Sequence, residues 1–157
     1  MQSAETPTED RSLERRLVGL LDGCVLVGRY TRDGQSGDDL RGGVERYTIE
    51  SCRPAGGDQY DIRVRIQYDQ NDVTVPLRIR IAMADQTPVI TVDRLWVPGL
   101  GTFDSRVLIR DRRYAGTWSH DGRGGHLFGS IEPLEQDATE APPSDVKNDD
   151  SGVNPQK

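Results

Sequence analysis

Eight strand-like segments follow one another between residues 24 and 132, and this succession limits the possible folds more than any other feature of the chain. Turn residues separate the segments, and no helical period interrupts them. Short, regularly spaced strands of this kind are typical of antiparallel barrels and sandwiches. Because eight hairpin-connected strands close well into a barrel, the sequence predicts an all-β, eight-stranded antiparallel up-and-down barrel. The segments span roughly 24–32, 43–52, 59–68, 73–83, 88–97, 102–110, 113–120 and 126–132.

The two flanks differ from this strand-rich region. Four leucines between residues 13 and 21 recur at helical spacing, which predicts a short N-terminal amphipathic helix over about 10–22. Residues 1–9 are polar, and residues 135–157 are rich in acidic, proline, serine and asparagine residues, so we expect both to be disordered. A chain of 157 residues then supports one domain, residues 10–134, with the helix closing one end of the barrel.

The net charge of −6 belongs to the flanks rather than to the domain. Residues 1–10 carry three acids and no base, and residues 135–157 carry six acids against two lysines. Residues 11–134 carry 18 arginines against 17 acids. This balance excludes a strongly basic nucleic-acid-binding domain, and no apolar run is long enough for a membrane span. The chain shows no secretory signal, which predicts a cytoplasmic protein.

The alternation of side chains gives the register of two hairpins. Pairing Tyr68 with Val73 across a four-residue turn brings apolar residues together on one face of the sheet. Pairing Met83 with Pro88 does the same for the next hairpin. The ion pairs expected on the outer face are Asp61–Arg80 and Arg78–Asp93.

The second register also directs Arg94 and Trp96 into the barrel. A buried guanidinium without a partner costs several kcal/mol, so an inward Arg94 needs a carboxylate, carbonyls, water or an anionic ligand. The alternative is a local bulge or a register error that leaves Arg94 outside, or a structural pair with an acid.

Aromatic side chains gather at the barrel end opposite the helix. Aromatic walls with a few polar groups suit a small apolar ligand. An eight-stranded barrel is also narrow enough to be filled by its own side chains, so a packed core stays open as an alternative. With Arg94 as the polar anchor, the predicted ligand-binding residues are Arg94, Trp96, Tyr68, Trp118, His120, Phe103 and Tyr30.

The sequence contains no recognisable catalytic or metal-binding constellation. Ser105 and His120 lie on adjacent predicted strands but not opposite each other, and no third group orients the histidine. The cysteines and histidines lack further ligands at metal spacing. Cys24 and Cys52 are expected to be reduced, although a disulfide stays open if the first hairpin loop is centred near Asp38. We therefore expect no enzyme, no metal and no cofactor.

Two sets of residues resemble known protein families. The stretch Gly28–Tyr30, after a short helix, resembles the first strand of the calycin superfamily, although lipocalins have tryptophan where Tyr30 stands here. A second set resembles an uncharacterised family of planctomycete bacterial proteins over residues 20–132, which implies one compact β domain and no particular activity. Its segments are Asp85–Thr91, Val97–Phe103, Arg113–His120 and Gly124–Gly129.

The predicted function is non-enzymatic binding of a small molecule inside the barrel. The ligand would be apolar or amphipathic, with an anionic head group as one option. The alternative is a protein-interaction or structural module, in which a filled barrel presents its loops to a partner that the sequence does not identify.

Overall fold

The computed structural model describes residues 7–34 and 41–135. Its eight strands form one antiparallel sheet in sequence order, and β1 pairs with β8, so the sheet closes into a barrel behind a single helix. This confirms the predicted fold class. The elements are α1 (Pro7–Leu21), β1 (Cys24–Arg32), β2 (Arg41–Pro54), β3 (Gln59–Tyr68), β4 (Asn71–Ala84), β5 (Thr87–Val97), β6 (Gly101–Arg110), β7 (Arg113–His120) and β8 (Arg123–Pro133).

Helix α1 begins three residues before the predicted start, at Pro7 rather than residue 10. Proline suits the first helical position because its fixed φ is helical and its missing N–H would have no partner there. Glu9 and Asp10 follow in the first turn, where acids interact favourably with the helix dipole. The remaining segments expected to be disordered, 1–6 and 136–157, lie outside the described residues.

The apolar face of α1 covers one end of the barrel, as predicted. Leu17 and Leu21 are buried in the common core. The Asp22 carboxylate accepts a hydrogen bond from the backbone N–H of Cys52 at 2.9 Å, which joins the end of the helix to β2. Within the described residues, no helix combines the length and apolar character that a membrane crossing requires.

The hairpin of β3 and β4 differs from the predicted register by two residues. Tyr68 lies opposite Asn71 rather than Val73, because only Asp69 and Gln70 form the turn. Asp69 has a φ of 48°, which aspartate tolerates and two-residue hairpin turns require. A shift of two residues keeps every side chain on its predicted face, so the apolar face still points into the core.

This shift also changes the ion pairs on the outer face. Asp61 binds Arg78 at 2.7 Å instead of Arg80, and Arg80 binds Asp58 at 2.8 Å. The predicted Arg78–Asp93 pair is likewise absent, because Arg106 binds Asp93 at 2.7 Å. Each of these pairs is exposed, so solvent screens it and it contributes little to stability.

Strand β5 contains the irregularity that decides where Arg94 points. Met83 lies opposite Pro88, as predicted, but the register of β5 against β6 shifts between Val92 and Leu95. The extra residue of this β-bulge reverses the alternation beyond it. Arg94 has a φ of 45°, and its side chain is exposed. The expectation that Arg94 and Trp96 point inward is therefore wrong.

The two cysteines are buried and free. Cys24 lies opposite Ile49 rather than Cys52, so the pairing required for the disulfide left open above does not occur. Burial raises the pKa of the Cys24 thiol to about 12 and that of Cys52 to about 11. Both thiols are therefore protonated and act as small apolar side chains in the core.

The hairpin of β6 and β7 follows the predicted register, with Ile109 opposite Tyr114 and Ser105 opposite Trp118. On β8, Leu127 is buried and Phe128 is 48% exposed, which confirms the predicted inner and outer faces of that strand. The barrel core is therefore formed by inward side chains from every strand, together with the leucines of α1.

Candidate functional site

The interior of the barrel contains two adjoining spaces. A chamber of about 180 Å³ lies among the inward side chains of the strands. A smaller space of about 120 Å³ lies at the end away from α1, and we call it the vestibule. Four aromatic residues line both spaces and so mark the boundary between them: Tyr47, Tyr68, Phe103 and Trp118.

The chamber is almost entirely apolar. Its walls are mainly valine, isoleucine and leucine side chains from β1 to β6 and from β8. The hydroxyl of Ser105, which also lines it, donates a hydrogen bond to the carbonyl of Thr117 at 2.9 Å. An engineered apolar cavity of about 150 Å³ stays dry and binds benzene or xenon. The chamber is therefore large enough for one ring or a short alkyl group.

The vestibule brings together five of the seven predicted ligand-binding residues. The Tyr30 ring meets the Tyr68 ring edge-on at 80° and the Trp118 ring edge-on at 82°, with both centroid distances at 6.2 Å. Phe103 stacks on His120 with centroids 4.3 Å apart. These contacts place the aromatic rings as walls around a common space.

Hydrogen bonds to the backbone and to the turns hold three of these side chains in place. The Trp118 indole N–H donates to the Thr31 carbonyl at 3.0 Å. His120 Nδ1 lies 2.8 Å from the Thr102 carbonyl, which can only accept, so this nitrogen carries a proton. The Tyr30 hydroxyl donates to Asp69, and burial together with this bond raises the pKa of Tyr30 to about 12.

Glu45 is the vestibule residue that the sequence analysis missed. Its side chain is only 2% exposed. Among the described residues, no other charged or polar side chain is buried to this degree. One carboxylate oxygen accepts from the Tyr47 hydroxyl at 2.7 Å, and the other accepts from the Tyr114 hydroxyl at 3.0 Å. Burial raises the pKa of Glu45, and the two hydroxyls only partly offset this effect.

The signal for Glu45 was present in the sequence. On β2 it shares alternation with Tyr47 and Ile49, two inward apolar residues, so an inward carboxyl could be read from the pattern.

A pair of glycines makes room for the tyrosine that binds Glu45. Gly28 and Gly129 lie opposite each other on β1 and β8. A Cβ at Gly28 would clash with the Tyr114 hydroxyl, and a Cβ at Gly129 would lie 2.8 Å from its ring. Glycine at both positions therefore allows Tyr114 to cross the barrel and reach the carboxyl of Glu45.

Two arginines complete the vestibule at its rim. Arg32 Nη2 lies 3.4 Å from the Asp69 carboxylate, and the Arg32 guanidinium sits 5.9 Å from the centroid of the Tyr30 ring. The Nε of Arg32 is buried without a hydrogen-bond partner among the described residues. Arg123 lines the same space. The rim is thus basic, whereas the interior beneath it holds a carboxyl.

Arg94 and Trp96, the other two predicted binding residues, lie on the outside of the barrel. Trp96 is 65% exposed, and the backbone N–H of Arg94 donates to Asp104 at 2.9 Å at the bulge. Neither lines the chamber or the vestibule. The charged residues that line the two spaces are instead Glu45, Arg32 and Arg123 in the vestibule, and Asp104 in the chamber.

The described residues contain no group of three histidine, cysteine, aspartate or glutamate side chains that could hold a metal ion. The chain matches no protein-family model, no curated protein and no solved structure. The resemblances to the calycin superfamily and to the planctomycete family therefore stay predictions, and the site must be interpreted from its own geometry.

Proposed function

We propose that the barrel binds a small amphipathic molecule without chemically converting it. The observation that carries this proposal is the apolar chamber of about 180 Å³ beneath a vestibule that holds polar groups. A ring or short alkyl group would lie in the chamber, and its polar end would lie in the vestibule. The aromatic boundary residues would contact both parts, as is common in pockets for small ligands.

The size of the chamber restricts the ligand. Since a cavity of about 150 Å³ accommodates benzene, a chamber of about 180 Å³ suits one ring and is too small for a long acyl chain. The Ser105 hydroxyl donates to the carbonyl of Thr117 at 2.9 Å and not to a base, which favours binding over nucleophilic catalysis at this residue.

The alternative of a filled barrel acting only as an interaction module receives less support. A filled barrel would leave no apolar space, whereas the walls of the chamber enclose room for a ring. The experiment below also tests this alternative, which predicts that no small apolar probe binds.

The test uses 2-phenylethanol, a neutral probe with one ring and one hydroxyl. Its binding is measured by isothermal titration calorimetry, and by Trp118 fluorescence in a Trp96→Phe background that removes the exposed tryptophan. Val92→Phe places a ring in the chamber and should weaken binding at least about ten-fold by removing the space for the probe. Leu108→Phe, a matched addition on the outer face of β6, should leave binding unchanged. Absence of binding to the wild type, or equal binding by Val92→Phe, would refute the proposal.

A further inference from the structure

The buried carboxyl of Glu45 has a property that general ligand binding does not explain. A buried acid is ordinarily paired with a base, because an unpaired buried charge is strongly unfavourable. Here the two groups that bind the carboxyl are the neutral hydroxyls of Tyr47 and Tyr114. Among the described residues, no arginine or histidine contributes to the shift in the pKa of Glu45.

The carboxyl also retains hydrogen-bonding capacity. Its two oxygens offer about four acceptor sites, and the two tyrosines occupy two of them. Glu45 lines the vestibule, so a donor placed there can reach the carboxyl. A cationic donor would supply the missing positive charge, and Coulomb attraction is stronger at a buried site than at the exposed rim.

The aromatic walls favour the same chemistry. Ring faces attract cations, and the attraction grows when the cation is removed from water. One face of Tyr30 already lies against the Arg32 guanidinium, and one face of Phe103 is covered by His120. Tyr68 and Trp118 line the vestibule beside Glu45 and provide further aromatic surface for a cation.

We propose that the vestibule selects a protonated amine, with Glu45 as its counter-ion, so that the ligand is a small alkyl- or arylalkylammonium ion. This inference rests on the proposed binding function and names the chemical class of the ligand. It replaces the anionic head group considered from the sequence. The rim arginines argue against a cation, but Asp69 offsets the charge of Arg32. Arg123 is exposed, so salt screens its charge.

The pH dependence of binding follows from the same arrangement. An ammonium ion favours the ionised form of Glu45, so its affinity should rise with pH as Glu45 loses its proton. Other titratable or charged groups, His120 among them, lie around the same space and can also respond to pH. The pH profile of Glu45→Gln is therefore the necessary reference. The titratable or charged groups around Glu45 and the vestibule are Tyr30 and Arg32 on β1, Tyr47 on β2, Tyr68 on β3, Asp69 in the β3–β4 turn, Tyr114 and His120 on β7, and Arg123 on β8.

The experiment compares three probes of similar shape and different charge: 2-phenylethylammonium, 2-phenylethanol and 3-phenylpropionate. Each is titrated calorimetrically into the wild type, Glu45→Gln and the matched control Glu50→Gln, whose altered side chain lies on the outer face of the same strand. We expect the wild type to bind the ammonium ion at least about ten-fold more tightly than the alcohol. Glu45→Gln should lose this preference while still binding the alcohol, and Glu50→Gln should retain it.

Several outcomes would overturn the inference while leaving the binding function intact. They are equal affinity for ammonium ion and alcohol, an unchanged preference in Glu45→Gln, or tighter binding of the carboxylate, which would assign the head group to the rim arginines. If no probe binds the wild type, the binding function itself fails. The comparison of probes on the wild type needs no variant, so it remains decisive if Glu45→Gln does not fold.

Discussion

Glu45 is the residue at which stability and the proposed binding function oppose each other. Transferring a carboxyl from water to the barrel interior is costly, and hydrogen bonds from two neutral hydroxyls recover only part of that cost. The fold nevertheless provides Tyr114 for this group and glycines at positions 28 and 129 for the tyrosine. The position of this carboxyl in the vestibule fits the proposed role in binding.

The pH dependence of stability should reveal this carboxyl directly. Because burial raises its pKa above the ordinary value of 4.5, the folded protein holds the proton of Glu45 more tightly than the unfolded protein does. Its contribution to the free energy of unfolding is therefore complete below about pH 4.5 and is lost as the pH rises through the folded-state pKa.

We predict that the free energy of unfolding of the wild type, relative to Glu45→Gln, falls as the pH is raised from 4 to 8. Urea unfolding followed by circular dichroism measures it. The difference between the proteins is needed because Asp58, Asp61 and Asp72 bind arginines that lower their pKa values and give the opposite slope at acidic pH. Parallel curves for the two proteins would show that Glu45 keeps an ordinary pKa.

At the level of the elements, the bulge in β5 determines which side chains reach the interior. Without it, regular alternation after Val92 would direct Arg94 and Trp96 inward, as the sequence pattern predicts. With it, Leu95 and Val97 line the chamber instead. Asp104 on β6 stabilises the bulge by accepting the backbone N–H of Arg94 at 2.9 Å.

Asp104→Ala should therefore lower the free energy of unfolding by about 1 kcal/mol, the typical value of a lost hydrogen bond, or somewhat more if the N–H of Arg94 finds no water. Asp61→Ala is the matched control, because it removes an exposed ion pair with Arg78 on β3 and β4, away from the bulge. Chemical denaturation of both variants provides the measurement. An equal effect of the two substitutions would mean that the Asp104 bond does not stabilise the bulge.

The hairpins show how far the sequence could predict the elements. The pattern of apolar residues fixes the face of each strand, so the inward sides of β3, β4 and β8 were correctly identified. The same pattern cannot distinguish registers that differ by two residues, because both keep the faces. Tyr68 pairs with Asn71 rather than with the predicted Val73 because the turn has two residues and Asp69 adopts a positive φ there.

For the whole molecule, strand number and spacing were sufficient to predict the closed barrel and the end covered by α1. Five of the predicted binding residues meet in the vestibule, because loop placement follows from strand order. The proposed polar anchor, Glu45, could not be predicted in the same way. An unpredicted bulge moved Arg94 outward, and Glu45 was overlooked because the faces of β2 were not assigned. Whether the interior is hollow depends on how side-chain volumes fill the closed barrel, which the alternation does not determine.

The proposed function requires a hollow barrel that can hold a small apolar group. Xenon enters dry apolar cavities of this size, so diffraction from crystals pressurised with xenon is the decisive measurement. We expect an anomalous xenon peak within the chamber, among Val64, Val92 and Val107, and loss of that peak in Val92→Phe. A wild-type barrel without xenon, with the side chains packed across its axis, would contradict it.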